Sequence, residues 1–151
     1  MRILQVCAEI FPLLKTGGLA DVVAALPAAL AARGLDTRIL LPGLPAILNG
    51  LVDLRRLIRF GPAFGAAIVT LRLGRLPDSG LLAYVIDAPF LYRRDGNPYL
   101  GPDGRDWSDN HRRFGLLQPE VITRLGREQG SHAVLPGMNG QDGRHGNVDL
   151  L

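Results

Sequence analysis

Apolar residues dominate positions 2–8, with only Arg2 and Gln5 polar. A short, nearly continuous run of this kind suits a strand buried on both faces of a parallel sheet. A loop follows over 9–18, marked by Pro12 and the pair Gly17 and Gly18. Residues 19–33 are rich in Ala and Leu, and Leu19, Val22, Val23, Leu26 and Leu30 fall at helical spacing. Pro27 predicts a kink or a split in that helix, and Gly34 stands where a C-terminal cap belongs. A second strand is expected over 37–41, stopped by Pro42. Strand, loop, helix and strand within about 40 residues is the size of one βαβ unit. The pattern therefore predicts the α/β class with a parallel sheet.

Three further strand-like runs occupy 54–60, 66–73 and 81–87, with short Gly/Pro punctuation between them. No helix fits in those gaps, so they read as a β-meander or hairpins attached to the parallel sheet. Residues 88–106 form a long loop with three prolines, a length typical of functional or mobile segments. A helix is expected from Trp107 to about Leu117, with Ser108 or Asp109 as its cap. Pro119 argues against continuity, and from Gly130 onward neither period 2 nor period 3.6 is found. Residues 118–151 thus read as a divergent, disordered tail.

The chain has 151 residues, the length of one domain, and 47% of them are hydrophobic, so it can bury a core. It has one cysteine, Cys7, which excludes a disulfide framework and a Cys-based zinc cluster. No apolar run is long enough to cross a bilayer, and the start lacks the features of a signal peptide. A cytoplasmic protein without a membrane partner is the expectation. The net charge is only +3 and the arginines are scattered without interleaved aromatics, which speaks against nucleic acid. Of 17 basic residues 16 are Arg, a bias expected of a GC-rich genome. Lys15, the one lysine, stands out against it.

Lys15 opens the segment Lys15-Thr16-Gly17-Gly18-Leu19-Ala20-Asp21-Val22, which follows the first strand and starts the first helix. That is the carboxyl end of a parallel strand, where α/β folds bind ligands. Two glycines let a ligand approach the backbone, the helix N-terminus favours a phosphate, and a lysine adds a flexible point charge. The lysine precedes the glycines, so this is not a Walker A loop, nor is it Gly-x-Gly-x-x-Gly. A plainer alternative stands beside this reading: the glycines make a tight turn and Lys15 is solvated. Asp21 has its own alternative, since an acidic residue in a first helical turn complements the dipole without any ligand.

The blocks Val6-Cys7-Ala8-Glu9, Phe11-Pro12-Leu13-Leu14-Lys15-Thr16-Gly17-Gly18-Leu19-Ala20-Asp21-Val22 and Leu26-Pro27 resemble the start of bacterial glycogen synthases and plant starch synthases. The likeness continues at Ile86-Asp87-Ala88-Pro89-Phe90-Leu91-Tyr92, at Gly96-Asn97-Pro98-Tyr99, at Trp107-Ser108-Asp109-Asn110 and at Arg113-Phe114. It covers 1–117. The resemblance implies an incomplete Rossmann-like N-terminal domain of a GT-B-type glycosyltransferase, with the meander inserted. It implies a retaining enzyme that moves glucose from ADP-glucose to an α-1,4-glucan, with ADP-glucose as substrate and no metal or organic cofactor. Carried over by motif, Lys15, Gly17 and Gly18 would bind ADP-glucose, and Asp21 and Tyr99 are candidate cleft residues. For Tyr99 a sugar-stacking face and a ring merely packed over its loop both stay open.

The departures are large. The family's His-Ala-His-Asp-Trp segment is absent, and His132 and His145 have no Asp-Trp neighbour. The second domain, with its diphosphate-binding Arg and Lys and its Glu near the transferred sugar, is missing, so no catalytic residue is assigned here. The expectation is a fragment, inactive alone, arising from a frameshift or early stop; sequencing the locus for family-like codons in another frame tests this. The alternative is a non-catalytic half-enzyme that binds sugar nucleotide or glucan, with a separately encoded C-terminal half as partner. An unrelated small α/β protein with a phosphate loop is the third reading.

Overall fold

The computed structural model describes residues 2–118, 121, 123 and 148–150. The chain begins with strand β1 (Arg2–Val6), helix α1 (Leu19–Ala32) and strand β2 (Asp36–Pro42). A short helix α2 (Pro45–Gly50) leads into strands β3 (Val52–Phe60), β4 (Val69–Arg75) and β5 (Leu82–Asp87). Two more short helices follow, α3 (Pro89–Tyr92) and α4 (Asn110–Gly115), and a last strand β6 (Val148–Leu150).

The strands form one mixed sheet in the order β3-β4-β5-β2-β1-β6. β1, β2 and β5 are parallel neighbours, and β3-β4-β5 is an antiparallel meander. The expected βαβ unit and meander are therefore both present, joined where β5 lies beside β2. Ile39, Leu40, Leu41, Tyr84, Val85 and Ile86 are fully buried on these central strands, as expected where both faces are covered. Ile47 of α2, Leu91 and Tyr92 of α3, and Leu116 and Leu117 after α4 complete the core. Edge strand β3 exposes Arg55, Arg56 and Arg59, charges that discourage edge-to-edge pairing.

Several expectations are corrected. α1 is not split at Pro27; it runs unbroken through it. Proline has no N–H to give the Val23 carbonyl, and the buried Gln5 side-chain amide donates to that carbonyl instead, at 3.4 Å. The helix buries Ala20, Val23 and Pro27, while Leu19, Val22 and Leu26 of the expected apolar stripe are exposed. Its end follows the sequence closely. Gly34 takes φ 82°, the Gly34 N–H donates to Ala31 at 2.9 Å and the Leu35 N–H to Leu30 at 3.2 Å, the paired bonds of a Schellman cap.

The 88–106 segment is not all loop, since α3 lies within it. α4 starts at Asn110 rather than Trp107, and Asp109 makes no side-chain cap bond; its carboxylate is taken by Arg94, at 3.0 and 2.7 Å. In the tail, Val148–Leu150 pairs in parallel with β1, opposite Arg2, Ile3 and Leu4, where no strand is expected from the sequence. Apart from residues 118, 121 and 123, the rest of the expected disordered stretch, with His132 and His145, lies outside the described residues.

Candidate functional site

β1, β2 and β5 point their carboxyl ends the same way, so the segments after Val6, Pro42 and Asp87 gather at one end of the sheet. Gly43 permits their close approach. Its N–H donates to Ile86 at 2.8 Å, and a Cβ there would lie 2.8 Å from the Asp87 Cα. The Cys7 N–H extends the β1 ladder to Leu40 at 3.1 Å. Reciprocal bonds between Ile10 and Leu14, at 3.0 and 2.9 Å, then fold the chain back on itself. Lys15, Thr16, Gly17 and Gly18 emerge from that fold exposed and run into α1.

The two glycines occupy ordinary backbone. Gly18 has φ −68° and ψ −16°, and Gly17 is not among the positive-φ residues. A Cβ at either position would meet nothing within 4 Å. Neither the local conformation nor neighbouring atoms require glycine at these positions. The first turn of α1 also has no side-chain cap, which leaves its first backbone N–H groups without a side-chain acceptor.

Lys15 Nζ lies 2.7 and 2.9 Å from the two Asp21 carboxylate oxygens and 5.8 Å from the centre of the Phe11 ring. Both side chains of the pair are about half exposed, at 47% and 51%. Asp21, in the first turn of α1, pairs with the lysine at the mouth of the loop. Such a solvated pair is worth less than about 1 kcal/mol, so an incoming anion can take the lysine at small cost.

Beneath the loop sits Glu9, 2% exposed. It accepts hydrogen bonds from the Thr16 N–H at 2.6 Å and the Thr16 hydroxyl at 2.7 Å. It also accepts one from the Tyr99 hydroxyl at 3.4 Å. The Tyr99 ring packs at 5.9 Å against Phe114, so the ring is partly packed while its hydroxyl points to the Lys15 loop. Burial, and then the Glu9 carboxylate, raise the Tyr99 pKa above the usual phenol value. The structure brings Lys15, Gly17, Gly18 and Asp21 together at the start of α1 and links Tyr99 to them through Glu9.

Tyr99 is carried by a tightly organised segment. Gly96 has φ 118°, and a Cβ there would lie 2.5 Å from the Leu100 carbonyl, so glycine is required on both counts. The Asn97 side chain accepts from the Tyr99 and Leu100 N–H groups at 2.8 and 2.7 Å. Arg113, 2% exposed, donates to the carbonyls of Leu91 and Pro98 at 3.0 and 2.9 Å. Burial draws its guanidinium pKa downward. Glu9 and Arg113 were legible only as letters of a motif. The signal for Glu9 was a lone charge inside an apolar run; nothing local marks Arg113 as buried.

Residues 2–135 match the family model of the starch synthase catalytic domain. The chain belongs to that family. The match runs past Leu117, where the recognisable sequence blocks stop. The glycogen synthase of Francisella philomiragia is 49% identical over 117 residues, which is 78% of this chain and 24% of that protein. The glycogen synthase of Variovorax paradoxus is 56% identical over 121 residues, with the same two shares. Among solved structures, the catalytic domain of Starch Synthase IV from Arabidopsis thaliana, bound to ADP and acarbose, matches with a TM-score of 0.62 and 27% identity. That match covers 85% of this chain and 26% of the other. The family member described here therefore spans about a quarter of the length of the curated relatives it matches. Its mixed α/β sheet is consistent with part of a Rossmann-like domain of the GT-B type. Among the described residues no group of three or more His, Cys, Asp and Glu is placed to hold a metal ion, and no helix is long and apolar enough to cross a membrane.

Proposed function

We propose that this chain carries part of the donor-binding side of a glycogen synthase-type glucosyltransferase, which moves glucose from ADP-glucose to an α-1,4-glucan with retention of configuration. In this reading Lys15 meets the diphosphate, Gly17 and Gly18 offer backbone N–H groups, and Asp21 and Tyr99 line the cleft. The observation that carries it is the open backbone at Gly17 and Gly18. Glycine stands at two positions where the fold itself has no use for it, beside an uncapped helix start and the chain's one lysine. A ligand that comes into contact with the backbone explains all three. The Arabidopsis neighbour is bound to ADP, which agrees with an adenine nucleotide donor.

Glycosyl transfer needs charges fixed on both sides of the donor, and these residues supply one side. In this reading these residues bind ADP-glucose, in the cytoplasm, without turning it over by themselves. Calorimetric titration with ADP-glucose tests the site: Lys15→Ala weakens binding at least tenfold, or about 1.4 kcal/mol. Equal affinity in the two proteins removes Lys15 from the site. Labelled glucose transferred to glycogen above a boiled control would overturn the inactivity of the isolated chain.

A further inference from the structure

Glu9 lies three residues past the end of β1, sealed behind the loop that carries Lys15, Gly17 and Gly18. A buried carboxylate is costly unless donors surround it. No ion pair to Glu9 is found among the described residues; its partners are one N–H and two hydroxyls. Both short bonds come from a single residue, Thr16, which sits between the lysine and the glycines. The third comes from Tyr99, 90 residues away in the chain. The segments that Glu9 joins also line a common depression of about 230 Å³, through Leu14 on one side and Asn97 and Pro98 on the other. A core position filled by an apolar side chain would cost less to bury. The carboxylate is explained by what it holds.

We infer that Glu9 is a positioning residue that fixes the 15–18 loop in its ligand-receiving shape and couples it to Tyr99. The Thr16 N–H is drawn inward to Glu9, so it is not available to a ligand. The other backbone donors of the loop and helix start are those of Gly17, Gly18 and the first turn of α1. Glu9 touches no ligand itself; its effect on binding runs through Thr16. The identity of the ligand rests on the proposed function, whereas the anchoring of the loop does not.

The test uses the full 151-residue chain as wild type, Glu9→Leu, Glu9→Gln and Lys15→Ala. It reads ADP-glucose affinity by calorimetry, amide hydrogen exchange by NMR, and thermal unfolding. Glu9→Leu is expected to weaken ADP-glucose at least tenfold and to speed Thr16 exchange at least tenfold, with core-strand amides unchanged. Glu9→Gln, which keeps one acceptor oxygen, falls between. Lys15→Ala loses affinity with Thr16 protection intact. A folded Glu9→Leu chain with wild-type affinity and wild-type Thr16 exchange overturns the inference. Equal losses in the Gln and Leu variants also overturn it, because hydrogen-bond acceptance would then not be what matters. If wild type does not bind ADP-glucose, the donor-site reading fails, and Thr16 exchange still decides the role of Glu9. If Glu9→Leu does not fold, the wild type decides: a Thr16 amide exchanging as fast as those of Gly17 and Gly18 overturns the anchor, and slower exchange that is lost in Glu9→Gln supports it.

Discussion

Asp87 ends β5 with its side chain 3% exposed, and two guanidinium groups share it, Arg72 at 2.9 Å and Arg93 at 2.9 Å. One arginine is enough to neutralise one carboxylate, so the second is dispensable in charge terms. Arg93, 47% exposed, should contribute less than about 1 kcal/mol on its own. Removing both leaves a buried, uncompensated charge, which costs about 3–5 kcal/mol. Urea denaturation of Arg72→Ala, Arg93→Ala and the double variant should show this non-additivity; additive small losses would refute it. Cys7 makes the opposite point about burial. Its thiol is pushed up to about 12 by burial, with the Glu9 carboxylate adding to the effect. The folded value lies above the unfolded one, so the stabilising contribution is whole below about pH 9 and drains away as pH rises toward 12. Burial raises Tyr84, Tyr92 and Tyr99 as well, extending the same trend. Iodoacetamide at pH 8 should leave Cys7 untouched in the native chain and label it in urea, because only the thiolate reacts.

At the scale of elements, α1 separates what a sequence pattern can and cannot decide. Its existence, its C-terminal cap and its place between two parallel strands were all readable from local signals. The face it buries was not. The segment LADVVAALPAALAA is apolar nearly all round, so periodicity finds more than one stripe and cannot choose between them. The face with Ala20, Val23 and Pro27 is the buried one, leaving Leu19, Val22 and Leu26 outside. Glutamine at Leu19, Val22 or Leu26 should therefore change stability by no more than about 0.5 kcal/mol. Glutamine at Val23, 4% exposed, should cost about 2–4 kcal/mol. Thermal melts of the four single variants check the assignment. That the helix is not split at Pro27 has a related reason: the side chain that takes up the freed Val23 carbonyl, Gln5, lies on another element, and no local rule reaches that far.

Across the whole molecule, one end of the parallel half presents the loops and the antiparallel half closes the sheet away from them. The 15–18 loop itself was legible because glycine, lysine and a helix start sit next to one another in the chain. Its supports were not, because Glu9 meets Tyr99 and Arg113 meets Leu91 and Pro98 only after the chain has folded back. Contacts at such separations leave no period and no spacing to read. One of these supports has a practical consequence. Trp107, the chain's single tryptophan, has the guanidinium groups of Arg94 and Arg113 5.2 and 5.4 Å from its ring, and its indole N–H donates to the Asn97 carbonyl at 3.3 Å. Its backbone N–H donates to the carbonyl of Tyr99 at 3.3 Å. The molecule thus carries its own optical reporter, seated on the segment that holds Tyr99. Weakly buried segments open before the sheet does, so tryptophan emission in a urea titration should move before the far-ultraviolet circular dichroism signal. Coincident transitions would mean that this segment and the sheet unfold as one unit.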